Sequence, residues 1–250
     1  MIHNKAAFAK GAFLMVTFLA VFVAILSPLF PGKMTGLDYA DDFFNKLSKN
    51  SSDYFEQVKA TVAKQKGVQL DVTATIAKPD PAVQPDPAKA QEAANKDAQA
   101  AAKALQAAGA TVAIKDNVIT VKGDLNAILD FATTKGRAAF DTTSADQEKP
   151  EKVADRKLVK DLWKALGALV KPLQKAGKIA DAKAIDQVMK KALEPGYNFY
   201  GVDGEPVSKN IFMLLFLLSF YVVYTLWYGY SIFFMFEGIG MSMKKSKKKG

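Results

Sequence analysis

The sequence predicts an α+β membrane protein. Two transmembrane helices flank an aqueous domain that has a ferredoxin-like βαββαβ core, a long N-terminal helix and a C-terminal αα-hairpin. Three observations predict it. Residues 11–32 carry no charged side chain over 22 positions, and residues 210–236 carry none over 27. A helix of about 20 apolar residues crosses a hydrocarbon core. The 176 residues between (34–209) hold nearly all the charge, and their apolar spacing changes from helical to alternating and back.

After a short N-terminal tail (1–10), the run 11–32 reads as an uncleaved signal-anchor. Lys5 and Lys10 precede it, but its apolar stretch is too long for a secretory signal and no A-x-A site follows. Ala20 and Ala24 form a small-xxx-small pair, the helix-packing candidates of this span.

Residues 34–66 read as one membrane-proximal helix, with Phe43, Phe44, Leu47, Tyr54, Phe55, Val58 and Val62 at helical spacing. Asn50-Ser51-Ser52 is its weak spot, and formally a glycosylation sequon. Packing on the rest of the domain is favoured for its aromatics over docking on lipid headgroups or on a partner.

The ferredoxin-like subdomain is placed at 67–144. Residues 68–76 alternate apolar and polar as a strand does. A proline-rich link (78–87) leads to 88–108, where 11 of 21 residues are alanine. That composition favours a helix that packs closely on a flat sheet, ended by Gly109. Residues 111–114 and 118–121 form a hairpin about Lys115-Asp116-Asn117. Asp124 caps a helix through Leu125, Ile128, Leu129 and Ala132, stopped at Gly136, and residues 137–140 supply a fourth strand.

Residues 151–195 follow as a helical hairpin, with Leu158, Leu162, Leu166 and Leu169, then Ile185, Val188 and Leu193, facing inward. Trp163 is assigned to its core, and Pro195-Gly196 to its end. The loop 196–209 is a membrane-interface segment in which Tyr197, Phe199 and Tyr200 act as anchors. Asp203-Gly204-Glu205 is an ordinary turn, two carboxylates being too few to hold calcium.

The second span, 210–236, contains 11 aromatic residues. Tyrosine hydroxyls in hydrocarbon need partners, because lipid tails offer none. Tyr221, Tyr224, Trp227 and Tyr228 are therefore its helix-packing candidates. Two readings stand: a long tilted helix with an aromatic belt, or a helix embedded among other membrane subunits, the second being favoured. The tail, 237–250, carries Lys244, Lys245, Lys247, Lys248 and Lys249, which orient the chain and attract anionic lipid.

Positive charge outside both spans and aspartates just inside them put both termini in the cytoplasm and residues 34–209 in the periplasm of a bacterial inner membrane. The domain's 26 basic and 24 acidic residues leave it at +2, without the excess expected of a nucleic-acid binder. Cysteine is absent and His3 is the single histidine, which excludes disulfides, Cys₄ zinc sites and a Ser-His-Asp triad in the domain. No catalytic residue, metal site or cofactor is assigned. The expected function is a non-catalytic accessory or scaffold subunit of an inner-membrane complex, whose partners are other integral membrane subunits. The alternative is a periplasmic sensor or ligand-binding module that acts through partner proteins.

Overall fold

The computed structural model describes residues 2–77, 82 and 85–241. Helix α1 (Lys5–Leu26) starts where the Asn4 side chain accepts from the Ala7 amide at 3.1 Å. Its chain leaves through a turn at Pro31–Lys33 and enters α2 (Gly36–Ser51). Thr35 and Asp38 cap α2 reciprocally, their side chains 2.7 Å apart, and this bonding holds the Asp38 carboxyl below its ordinary value.

The single helix expected over 34–66 is two. α2 stops at Ser51, and α3 (Phe55–Ala63) begins after Ser52-Asp53-Tyr54. Asn, Ser and Asp hydrogen-bond their own backbone in competition with the helix. Asp53 is also held from outside, since the Arg137 guanidinium reaches both its oxygens at 2.9 and 3.1 Å.

β1 (Gln69–Thr75) is followed by α4 (Pro87–Ala107), β2 (Thr111–Lys115) and β3 (Val118–Asp124). The proline-rich link lies mostly outside the described residues. The strands form an antiparallel sheet in the order β1-β3-β2, with Val121 opposite both Val72 and Val112. Leu70, Val72, Ala74, Ile119 and Val121 point to the buried face. The other face is polar, with Thr73 and Thr120 hydroxyls 2.9 Å apart and Lys122 paired to Asp71 at 2.9 Å. α4 lays Ala98, Ala101, Ala102 and Leu105 into the core and packs on β2 and β3, the close approach that its alanines predict.

The expected fourth strand is a helix. Asp124 caps α5 (Leu125–Phe140), which runs through residues 137–140 without a break. Arg137 and Asp141, one turn apart, form a 2.7 Å ion pair along it. Nor does Gly136 stop the helix. A Cβ there would lie 2.8 Å from the Ala192 carbonyl oxygen, so the glycine serves close helix packing.

α6 (Pro150–Lys175) is the longest helix between α2 and α9. It contacts α4, α5 and β1, and buries Val159, Leu162, Ala165, Leu166, Leu169 and Leu173. α7 (Ile179–Val188) returns against it as the expected hairpin, then widens into a π turn (Met189–Leu193) and α8 (Glu194–Asn198). Pro195-Gly196 therefore lies inside helix. A Cβ on Gly196 would collide with the Gly136 carbonyl oxygen, so two glycines let α5 and α8 cross backbone to backbone. Tyr200 and Phe199 do not serve as surface anchors: Tyr200 is buried, and Phe199 stacks edgewise on Phe140 at 6.0 Å.

α9 (Ile211–Gly238) closes the described chain. α1 and α9 are each long and apolar enough to cross a membrane, at 22 and 28 residues. The chain divides into two units, Met1–Leu47 with Glu205–Gly250, and Ser48–Gly204. Described residues of the first include α1, α9 and most of α2, and the second holds the sheet and the remaining helices.

Candidate functional site

Within the first unit α1 and α9 pack antiparallel. His3 and Asn4 amides donate to the Gly238 carbonyl at 2.8 and 2.9 Å, joining the start of one helix to the end of the other. The approach is close because both helices place glycine at the contact. A Cβ on Gly11 would sit 2.6 Å from the Met235 nitrogen, and one on Gly238 would sit 2.5 Å from the Phe8 Cβ.

Two of the aromatic candidates lie on this seam. The Tyr224 hydroxyl donates to the Phe18 carbonyl at 3.2 Å, and its ring stacks on Phe18 at 4.3 Å. The Trp227 indole N–H donates to the Leu14 carbonyl at 3.1 Å. Both acceptors are backbone oxygens of α1, one turn apart, which suits donors three residues apart on an antiparallel helix. Tyr228 touches the edge of the seam, its ring 5.1 Å from Phe18. Tyr221 stands apart: it is 70% exposed, and its hydroxyl has no hydrogen-bond partner among the described residues.

Ala20 is not on the seam. It is exposed and Ala24 half-buried, while the seam runs through Gly11, Leu14, Met15 and Phe18. Ser231, fully buried against α1, is a seam residue that the sequence reading missed. Its spacing after Tyr224 and Trp227, with Gly238 one heptad on, was the available signal. Lys244, Lys245, Lys247, Lys248 and Lys249 lie outside the described residues.

In the second unit Trp163 is not core. It is 40% exposed on α6, its indole N–H donating to a Glu194 carboxylate oxygen at 3.0 Å. A cavity of about 330 Å³ opens beside it, lined also by Lys160, Leu193 and Tyr197. The π turn brings this wall together: a wide turn in a helix shifts the residues after it, here Glu194 and Tyr197, relative to the preceding ones. The Arg156 guanidinium caps the Tyr197 and Tyr200 rings at 4.8 and 5.0 Å.

The chain matches no family model, no curated protein and no solved structure. Among the described residues no cluster of three or more Asp, Glu or His side chains is placed to hold a metal. Asp203 instead accepts from the Ser144 hydroxyl and amide, and Glu205 from the Asn210 side chain at 2.7 Å. Lys49, 7% exposed, donates to the Val202 carbonyl at 2.5 Å and the Thr142 carbonyl at 3.4 Å. Burial pushes its ammonium below the ordinary lysine value and Arg137 adds to this, while Asp141 and Asp203 oppose it.

Proposed function

We propose that this chain is a two-pass protein of a bacterial inner membrane and a non-catalytic accessory or scaffold subunit of a multiprotein complex there. Its termini face the cytoplasm and residues 34–209 the periplasm. α1 and α9 hold other integral subunits in the bilayer, and the outer domain holds partners beyond it. In this reading β1, α4, β2, β3 and α5 form a ferredoxin-like core in which α6, along β1, replaces the fourth strand.

The observation that carries the proposal is the contrast between Tyr224 and Tyr221. Tyr224 satisfies its hydroxyl on α1, whereas Tyr221 presents its own outward, about 15 Å along α9 from Ile211. A hydroxyl at that depth finds its acceptor on a neighbouring protein helix. Solubilising the native protein in mild detergent and sizing it tests the reading. Co-migrating membrane proteins, lost or weakened on Tyr221→Phe, are expected; a lone monomer would overturn it. A periplasmic ligand-binding module is the second reading, favoured by the cavity beside Trp163, whose volume lies at the lower end of small-molecule sites. A ligand-dependent rise in melting temperature of the purified chain is its test.

A further inference from the structure

The cavity beside Trp163 does not end at the indole. On its other side a second hollow, of about 710 Å³, runs along α6 past Gly167 to Lys171 and Lys175, with Ile76 and Asp97 on its far wall. Trp163 lines both hollows. The groove thus follows one face of α6 from Lys160 to Lys175, about 22 Å at 1.5 Å per residue. An extended chain covers that length in about seven residues, whereas a compact ligand fills one hollow.

Basic side chains outnumber acidic ones along it, Lys160, Lys164, Lys171 and Lys175 against Asp97 and Glu194. Both carboxylates at the groove are engaged: Glu194 accepts from the Trp163 indole, and Asp97 is paired with Lys164 at 2.9 Å. Lys160, Lys171 and Lys175 make no ion pair among the described residues. The Glu194 bond also fixes the indole before anything binds, which lowers the ordering cost of using it as an anchor. Tryptophan is a favoured anchor residue at protein interfaces.

We propose that this groove docks an extended acidic segment of a partner protein. One bulky apolar side chain of that segment rests against Trp163, and its carboxylates face Lys160 on one side and Lys171 and Lys175 on the other. The inference rests on the scaffold reading, since it names what the outer domain holds.

The test uses the full chain in a neutral detergent and a fluorescein-labelled, capped nonapeptide with a central Phe between four Asp or Glu residues on each side. Fluorescence anisotropy should show saturable binding that weakens as salt rises. Trp163→Ala should weaken it at least tenfold, and so should Lys171→Glu combined with Lys175→Glu, two exposed changes that leave the core intact. A peptide with Lys in place of its acids should not bind. Absence of saturable binding, equal binding when Gly replaces the central Phe, or binding unchanged by both variants would overturn the proposal. So would a small ligand that raises the melting temperature where the peptide does not bind. Partners that co-migrate equally with wild type and Trp163→Ala, alongside a failed peptide titration, would remove this inference and leave the scaffold reading standing. Peptide binding by a protein that proves monomeric would do the reverse.

Discussion

The Lys49 ammonium and the Val202 carbonyl, 153 positions apart in sequence, meet at 2.5 Å and join the first turn of the second unit to its last residues. The Thr142 carbonyl, which Lys49 also reaches, accepts from the Gly201 amide at 3.2 Å as well. One amine thus fastens three separate segments.

Lys49→Met should therefore destabilise the protein by about 1–3 kcal/mol, the usual cost of leaving a buried polar group without its partner. The pH dependence has a definite sign. Burial lowers the folded value of this amine, so between that value and about 10.4 the unfolded chain binds more protons than the folded one. Stability conferred by this group rises with pH across that window and is lost as pH falls through the folded value. Burial raises the Tyr200 hydroxyl above its ordinary value and acts oppositely above pH about 10, but it does so in both proteins. Chemical denaturation of wild type and Lys49→Met from pH 7 to 10.5 checks it: the gap between them should widen as pH rises.

Gly136→Ala separates two arguments by sign. Helix propensity alone predicts a gain of about 1 kcal/mol for replacing a mid-helix glycine. The packing of α5 on the π turn predicts a loss, because the new Cβ would lie 2.8 Å from the Ala192 oxygen. A loss of about 1–3 kcal/mol is expected, in the range of overpacking. A stabilised variant in urea unfolding would show the crossing to be looser than described.

That crossing also marks where the sequence was legible and where it was not. β1, α4, the β2–β3 hairpin, the start of α5 and the α6–α7 pair follow from alternation, alanine content, turn residues and the Asp124 cap, all of them local signals. Gly136 and Pro195-Gly196 were misread because a glycine at a helix end and a glycine at a helix crossing are the same letter. The reason for the second is a backbone more than fifty residues away. Trp163 was placed inside for a related reason: helical spacing identifies an apolar face, but its edge depends on what packs there. On the apolar helices, aromatic composition pointed to Tyr224 and Trp227 as contact residues, while Ser231 and Gly238 show only through their heptad spacing from Tyr224, and Gly11 through no such pattern.

Leu162→Ala should cost about 2–5 kcal/mol, as expected for a fully buried leucine whose cavity cannot collapse. α6 contacts α4, α5, α7 and β1, so loosening it disturbs every layer of the second unit. Thermal melts of Leu162→Ala beside the exposed control Lys157→Ala give the comparison, and the control should stay within about 0.5 kcal/mol of wild type.

Tyr224→Phe and Trp227→Phe each remove one hydrogen bond between α1 and α9. Interhelical bonds among apolar helices average about 0.6 kcal/mol, so each change should be small and the pair close to twice that. Gly11→Val should be far more damaging, because its side chain would enter the α9 backbone at Ser231 and Met235. Unfolding in graded detergent mixtures resolves the three, and equal effects would contradict the seam.

The seam has a consequence for biosynthesis. Its side-chain donors, Tyr224 and Trp227, sit on α9, and α1 offers them only backbone oxygens that already close its own helix. Roughly 180 residues separate the two helices, so at about 5–20 residues per second α1 emerges some 10–40 s before its partner exists. A helix that demands no partner can wait through that interval without seeking a substitute, while the later helix arrives with its donors and finds the acceptors in place.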